Sequence, residues 1–165
     1  MEISLLSDRY LVRRLTENDI AKIYSLCKNN PLYYHYCPPF VTYASIASDM
    51  KALPPNKDYS DKYYLGYYQG EKLIAVMDLI LSYPDENTAF IGFFMMNRQL
   101  QGHQIGTSII QELCLYLKET GLKRVLLGID KENPQSNAFW AKNGFSVIRE
   151  VEQEDGTILL AEKCL

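Results

Sequence analysis

Residues 100–110 read LQGHQIGTSII, and they lie where the hydrophobic period of the chain changes. Upstream, Thr88–Met96 (TAFIGFFMM) is an apolar run of strand length; downstream, Ile105, Ile109, Leu113, Tyr116 and Leu117 recur at helical spacing. A strand therefore passes into a helix within a few residues, and Gly102 and Gly106 flank the entry. Glycine lets backbone approach a ligand closely, and the free N–H groups and dipole of a helix start suit a pyrophosphate. Thr107 and Ser108 add hydroxyl donors. A Walker A loop would need a Lys before Thr107, where this chain has Gly106, and G-x-G-x-x-G is absent, so neither common nucleotide loop fits. Taken alone, the segment suits an unliganded helix entry as well as a phosphate site.

Outward from this junction, the helix is predicted to stop near Gly121 and to lead into RVLLGI at 124–129, a short apolar strand; this is a strand–helix–strand crossover. Before it, Tyr63–Tyr68, the turn at 69–72, Leu73–Ser82, the turn at 84–87 and Thr88–Met96 form a three-strand meander. Nearer the N-terminus, Tyr10–Leu15 alternates as a strand, and Thr16 with Asp19 resembles a capping arrangement opening a helix through Lys28. Asn29-Asn30-Pro31 ends that helix, LYYHYCPPF is expected as an aromatic loop, and a second helix starts at Thr42. After the crossover come a helix from Pro134 to Asn143 and a closing pair, Phe145–Glu152 with Ile158–Cys164, turning at Glu154-Asp155-Gly156. With one clear crossover, the chain is not doubly wound; the expectation is one domain over 1–165 with a mixed α/β sheet.

Composition narrows the partners. In 165 residues, 47% are apolar and 22% charged, with a net charge of −3, so no global basic field holds nucleic acid or an anionic membrane. No apolar run is long enough to span a bilayer and no secretory leader is present, which points to the cytoplasm. Cys27, Cys37, Cys114 and Cys164 are widely spaced, with only His35 and His103 as imidazoles, so neither a metal site nor a disulfide framework is signalled.

A second motif, NPQSNAFWAKNGF at 133–145, follows the apolar strand directly. Together with LQGHQIG it resembles the two signature regions of the GNAT superfamily of acetyl-CoA-dependent N-acetyltransferases, and the order of elements agrees over essentially the whole chain. The first motif of that family, Q/R-x-x-G-x-G/A, maps onto Gln101, Gln104 and Gly106, with Gln104 in place of the usual first glycine. The resemblance implies a mostly antiparallel sheet of about seven strands, flanked by helices and splayed between the strand ending at Met96 and that at 124–129. It implies acetyl-CoA as cosubstrate: pantetheine along Phe94, Met95 and Met96, and pyrophosphate on the amides of Gly102, His103, Gln104, Ile105, Gly106 and Thr107. It further implies Asn133 bonding the pantetheine, Phe139 and Trp140 packing beside it, and Lys142 either reaching a cofactor phosphate or standing in solvent.

Transfer to a primary amine, of a small molecule or an exposed protein amine, needs a proton acceptor, because an alkylamine of pKa ~10.4 is mostly protonated at neutral pH. By the same resemblance, many relatives place a Glu early on the central strand, at the position Phe90 takes here. Asp78, which interrupts LIAVMDLIL, and His35, in the aromatic segment, are the two candidate bases, each with a purely structural alternative. A backbone N–H near Met95 or Met96 is the expected oxyanion donor. Relatives often carry a Tyr where Trp140 stands, and an indole cannot titrate as an acid; with Phe90 and Trp140 at these two positions, a CoA-binding regulatory or interaction module without catalysis is the alternative function. The tyrosine-rich stretch suits a cationic acceptor by cation–π attraction, but also a core or a homodimer interface.

Overall fold

The alternation of LVRR places Val12 inward and makes a short edge strand, β1 (Leu11–Arg14), in the computed structural model, which describes residues 1–154 and 156–165. The capping arrangement forms as expected: Asp19 Oδ2 accepts the Thr16 N–H at 2.9 Å, and α1 (Ile20–Cys27) follows after one 3₁₀ turn. Arg13 grips the same carboxylate with both arms, at 2.9 and 2.6 Å. The Arg13 hydrogen bonds outweigh desolvation and hold the Asp19 carboxyl down at about 2. A depressed carboxyl stabilises the fold above its unfolded value of ~3.9, and that contribution disappears as pH falls toward 2. Denaturant titrations should show a loss of roughly 1–2 kcal/mol over this window, absent in Asp19→Asn, which starts out less stable by that amount.

The expected aromatic loop is instead partly helical. Pro31 presets φ and needs no N–H partner, so residues Pro31–Tyr36 form a short helix, α2. Thr42 then caps α3 (Tyr43–Lys51), its Oγ1 accepting the Ser45 N–H at 2.9 Å while Ser45 Oγ accepts the Thr42 N–H at 3.0 Å.

The remaining elements are β2 (Lys62–Gln69), β3 (Lys72–Leu81), β4 (Thr88–Met96), α4 (Ile105–Glu119), β5 (Arg124–Asp130), α5 (Pro134–Lys142), β6 (Ser146–Gln153) and β7 (Gly156–Cys164). The expected turn at Glu154-Asp155-Gly156 includes Asp155, which lies outside the described residues. The seven strands make one sheet in the order β1-β2-β3-β4-β5-β7-β6, antiparallel throughout except for β4 and β5. Ile109, Leu113 and Leu117 of α4 pack with Trp140 and Phe145 on one face, against Met77, Ile91 and Leu127. Ile23 and Leu26 of α1 and Ile46 of α3 pack on the other, against Tyr64, Val76 and Met95. Among the described residues no helix is long and apolar enough to cross a membrane.

Two irregularities in β4 position the site. Its parallel ladder with β5 pairs only Thr88–Ile91 with Arg124–Leu127; beyond that the strands part, opening the sheet between the second half of β4 and the end of β5. On its other edge, Asp78 pairs with Phe93 and Leu79 with Ile91, so Gly92 is an extra residue, a bulge at the very point where the split begins.

Candidate active site

The split widens into an open cleft of about 210 Å³ between β4, the start of α4, α5 and α2. Of the residues singled out in the sequence, Phe94, Met95, Met96, Gln101, Gly102, Gln104, Gly106, Thr107, Asn133, Phe139, Trp140 and Lys142 line it.

The helix entry has the geometry a close backbone approach demands. Gly102 is left-handed at φ +80, and so is Gln104 at φ +65, where the family has glycine. A non-glycine residue there costs about 1 kcal/mol; the Gln104 side chain accepts a hydrogen bond from Lys142 Nζ at 3.0 Å, tying α4 to α5. Gln104→Gly should therefore hold or raise the melting temperature by a few degrees while freeing Lys142, as thermal unfolding would show. The first intrahelical bond runs from Ser108 N–H to Gln104 O, leaving the amides of Ile105, Gly106 and Thr107 without partners in the helix. Gly106 is close-packed: a Cβ there would stand 3.2 Å from Phe139 Cε2 and 3.4 Å from Met96 Cγ.

The cleft wall is aromatic. Trp140, buried, contacts Phe94, Phe139 and Phe145 with ring centroids 5.0 to 6.0 Å apart. Trp140→Phe should keep turnover within about tenfold, whereas Trp140→Ala should cost roughly 3–5 kcal/mol of stability by leaving a cavity, measurable by denaturant unfolding. Asn133, also buried, caps α5 by accepting the Ser136 N–H at 3.0 Å, so its amide NH₂ is the half left to a ligand.

A chain of amides that sequence reasoning missed crosses the cleft. Asn30 donates to Leu26 O and Met96 O, both at 3.1 Å, and accepts from Gln101 Nε2 at 2.8 Å; Gln101 Oε1 accepts from Gln135 Nε2 at 3.1 Å. Tyr33 of α2 and Arg98 also line the space. In the sequence Asn30 reads only as a helix stop before Pro31, and nothing local tells that it reaches Met96, sixty-six residues on.

Other expected residues stand outside the lining. His103 is exposed with Nδ1 3.0 Å from Gln101 O, Ser108 Oγ donates back to Ile105 O at 2.9 Å, and Ile105 packs on the core. His35 is exposed on α2, edge-on to Tyr36. Asp78 lies on the α1/α3 side of the sheet, its Oδ2 2.7 Å from the buried ammonium of Lys62, and its Oδ1 buried without a hydrogen-bond partner. Burial pushes the Asp78 carboxyl up, with Asp49 adding to the push and Lys62 opposing it.

A mixed sheet that splits between its two parallel strands, beside a helix entered through a left-handed residue, is the frame of the cleft. The chain belongs to the acetyltransferase (GNAT) family, whose model matches residues 23–145; the family is one of acetyl-CoA-dependent acetyltransferases. Comparison with curated proteins finds no match. Solved structures show the same fold at low identity. An acetyltransferase from Thermus thermophilus superposes with a TM-score of 0.77 at 18% identity, covering 94% of this chain and 97% of that one. The PaiA N-acetyltransferase of Thermoplasma acidophilum, in complex with coenzyme A, gives 0.67 at 19%, covering 94% and 99%. The ribosomal-protein-S18-alanine N-acetyltransferase of Escherichia coli gives 0.66 at 14%, covering 94% and 93%.

Proposed function

We propose that the protein is an N-acetyltransferase that moves the acetyl group of acetyl-CoA directly to the primary amine of a small molecule or an exposed protein amine. The observation that carries this reading is the opening of the sheet beyond Ile91 and Leu127 beside the three free amides of α4. The residues fit the cosubstrate: those amides suit the pyrophosphate, Asn133 and the β4 backbone suit the pantetheine amides, and Phe94, Phe139 and Trp140 give an apolar wall. Acetyl-CoA supplies an activated acyl carbon. The amine lone pair forms the C–N bond, the C–S bond breaks with its electron pair on sulfur, and the proton lost from nitrogen balances the thiol.

Of this chain's groups, Asp78 takes the proton role, because it is a desolvated carboxylate beside the split, while His35 stands in solvent. Tyr33 and Phe93, edge-on at 5.7 Å, begin an aromatic surface on the same side, suited to a cationic acceptor. Thiol release from acetyl-CoA with a panel of primary amines, followed with a thiol reagent, tests the reading. Amine-dependent turnover is expected. Tight CoA binding with no turnover on any amine would instead favour a regulatory module.

A further inference from the structure

We propose that Gly92 and Lys62 are positioning residues: the missing side chain at 92 lets Asp78 reach over β4 to the mouth of the split, and Lys62 holds it there ionised. This deepens the proposed function and rests on Asp78 as proton acceptor.

The geometry is specific. Gly92 is the bulged residue of β4, exposed, and the first beyond the β5 ladder. A Cβ built on it would stand 3.0 Å from Asp78 Oδ2, 3.5 Å from Cγ and 3.8 Å from Cβ. The carboxylate of the neighbouring strand therefore occupies the space a side chain of β4 would fill. Phe90, which pairs with Ile80 farther down β4, lies before the split, so an acid supplied from β3 at the bulge answers the absence of one on β4 itself.

Lys62 completes the arrangement. It is only 3% exposed, its Nζ makes the 2.7 Å contact with Oδ2, and it sits 5.7 Å from the centre of the Tyr64 ring. Desolvating an ion pair offsets much of its attraction, so such a pair is weak ground for stability alone. It has a clear use for a proton acceptor. The groups facing Asp78 are Lys62 and Tyr64 of β2, Asp49 of α3 and the uncharged Phe93 of β4; of these only Lys62 favours the ionised form. Without it, burial and Asp49 would push the carboxyl further up, toward the neutral form that cannot accept a proton. With it, an acceptor ammonium loses its proton to the carboxylate: the N–H bond breaks, its electron pair stays on nitrogen, and Asp78 becomes a neutral acid beside the Lys62 ammonium.

The experiment compares Gly92→Ala, Lys62→Met and Asp78→Asn by kcat/KM against pH, CoA affinity and melting temperature. Gly92→Ala should lower kcat about tenfold with CoA affinity unchanged, because the carboxylate must give by a few tenths of an ångström and leave its position at the bulge. Lys62→Met should move the acid limb of the profile to higher pH by a unit or more, and Lys62→Arg should largely restore it. If Asp78→Asn is inactive while Gly92→Ala turns over normally and Lys62→Met changes only the melting temperature, the positioning roles are wrong and the proton acceptor stands. Normal turnover in Asp78→Asn removes both. Should Lys62→Met fail to fold, the Gly92→Ala result decides alone.

Discussion

Asp78→Asn should lower amine-dependent turnover by ~10²–10⁴-fold while CoA binds as before. The amide keeps the shape of the carboxylate and can still meet Lys62 with its oxygen, so the lost property is proton acceptance. Among the described residues Oδ1 is buried without a hydrogen-bond partner, so the substitution breaks no bond at that atom and collateral damage to the fold is limited. The residual rate should climb with pH as solvent takes over deprotonation of the amine. A variant that is less stable yet turns over normally per folded molecule would make Asp78 structural.

Gly106→Val should weaken CoA binding by roughly 10- to 100-fold, the equivalent of about 1–3 kcal/mol of overpacking transferred to the cleft wall. The position carries no unusual φ, so the expected effect comes from crowding rather than backbone strain. The new methyls lie beyond a Cβ already 3.2 and 3.3 Å from Phe139 and 3.4 Å from Met96, and those two side chains can yield mainly into the cleft they line. Gly106→Ala should fall between. Calorimetric titration of the folded variants with CoA measures this directly, and unchanged affinity in Gly106→Val would separate Gly106 from the cosubstrate.

The fold is legible wherever one period holds over a whole element. The α4 stripe, the meander, the Thr16–Asp19 capping pair and the helix start at Thr42 are local signals; the structure forms the first three as expected and begins the helix one residue on, with Thr42 as its cap. The Pro31–Tyr36 helix escapes a reading of the sequence because six mostly aromatic residues carry no helical stripe; Pro31 is its one local sign, and a proline after Asn29-Asn30 reads equally as a stop. The lining of the cleft is legible through two motifs, but what links them is not. Lys62 looks like a solvated residue at a strand start, and only register buries it against Asp78. Gly92 is visible as a glycine in an apolar strand, yet whether it marks a bulge depends on β3, fourteen residues back at Asp78. The amide chain of Asn30, Gln101 and Gln135 joins three segments distant in sequence, and no spacing rule announces such a contact. Gln104 departs from the first family motif, and the backbone keeps the left-handed turn there at the expense of local strain.

A crystal structure of the protein grown with acetyl-CoA tests the central claim most directly. The account predicts the pyrophosphate within hydrogen-bond distance of the amides of Ile105, Gly106 and Thr107, the pantetheine arm between Phe94–Met96 and Asn133, and the thioester at the split beside Gly92. Acetyl-CoA bound elsewhere on the molecule, with the gap between β4 and β5 left empty, would contradict it.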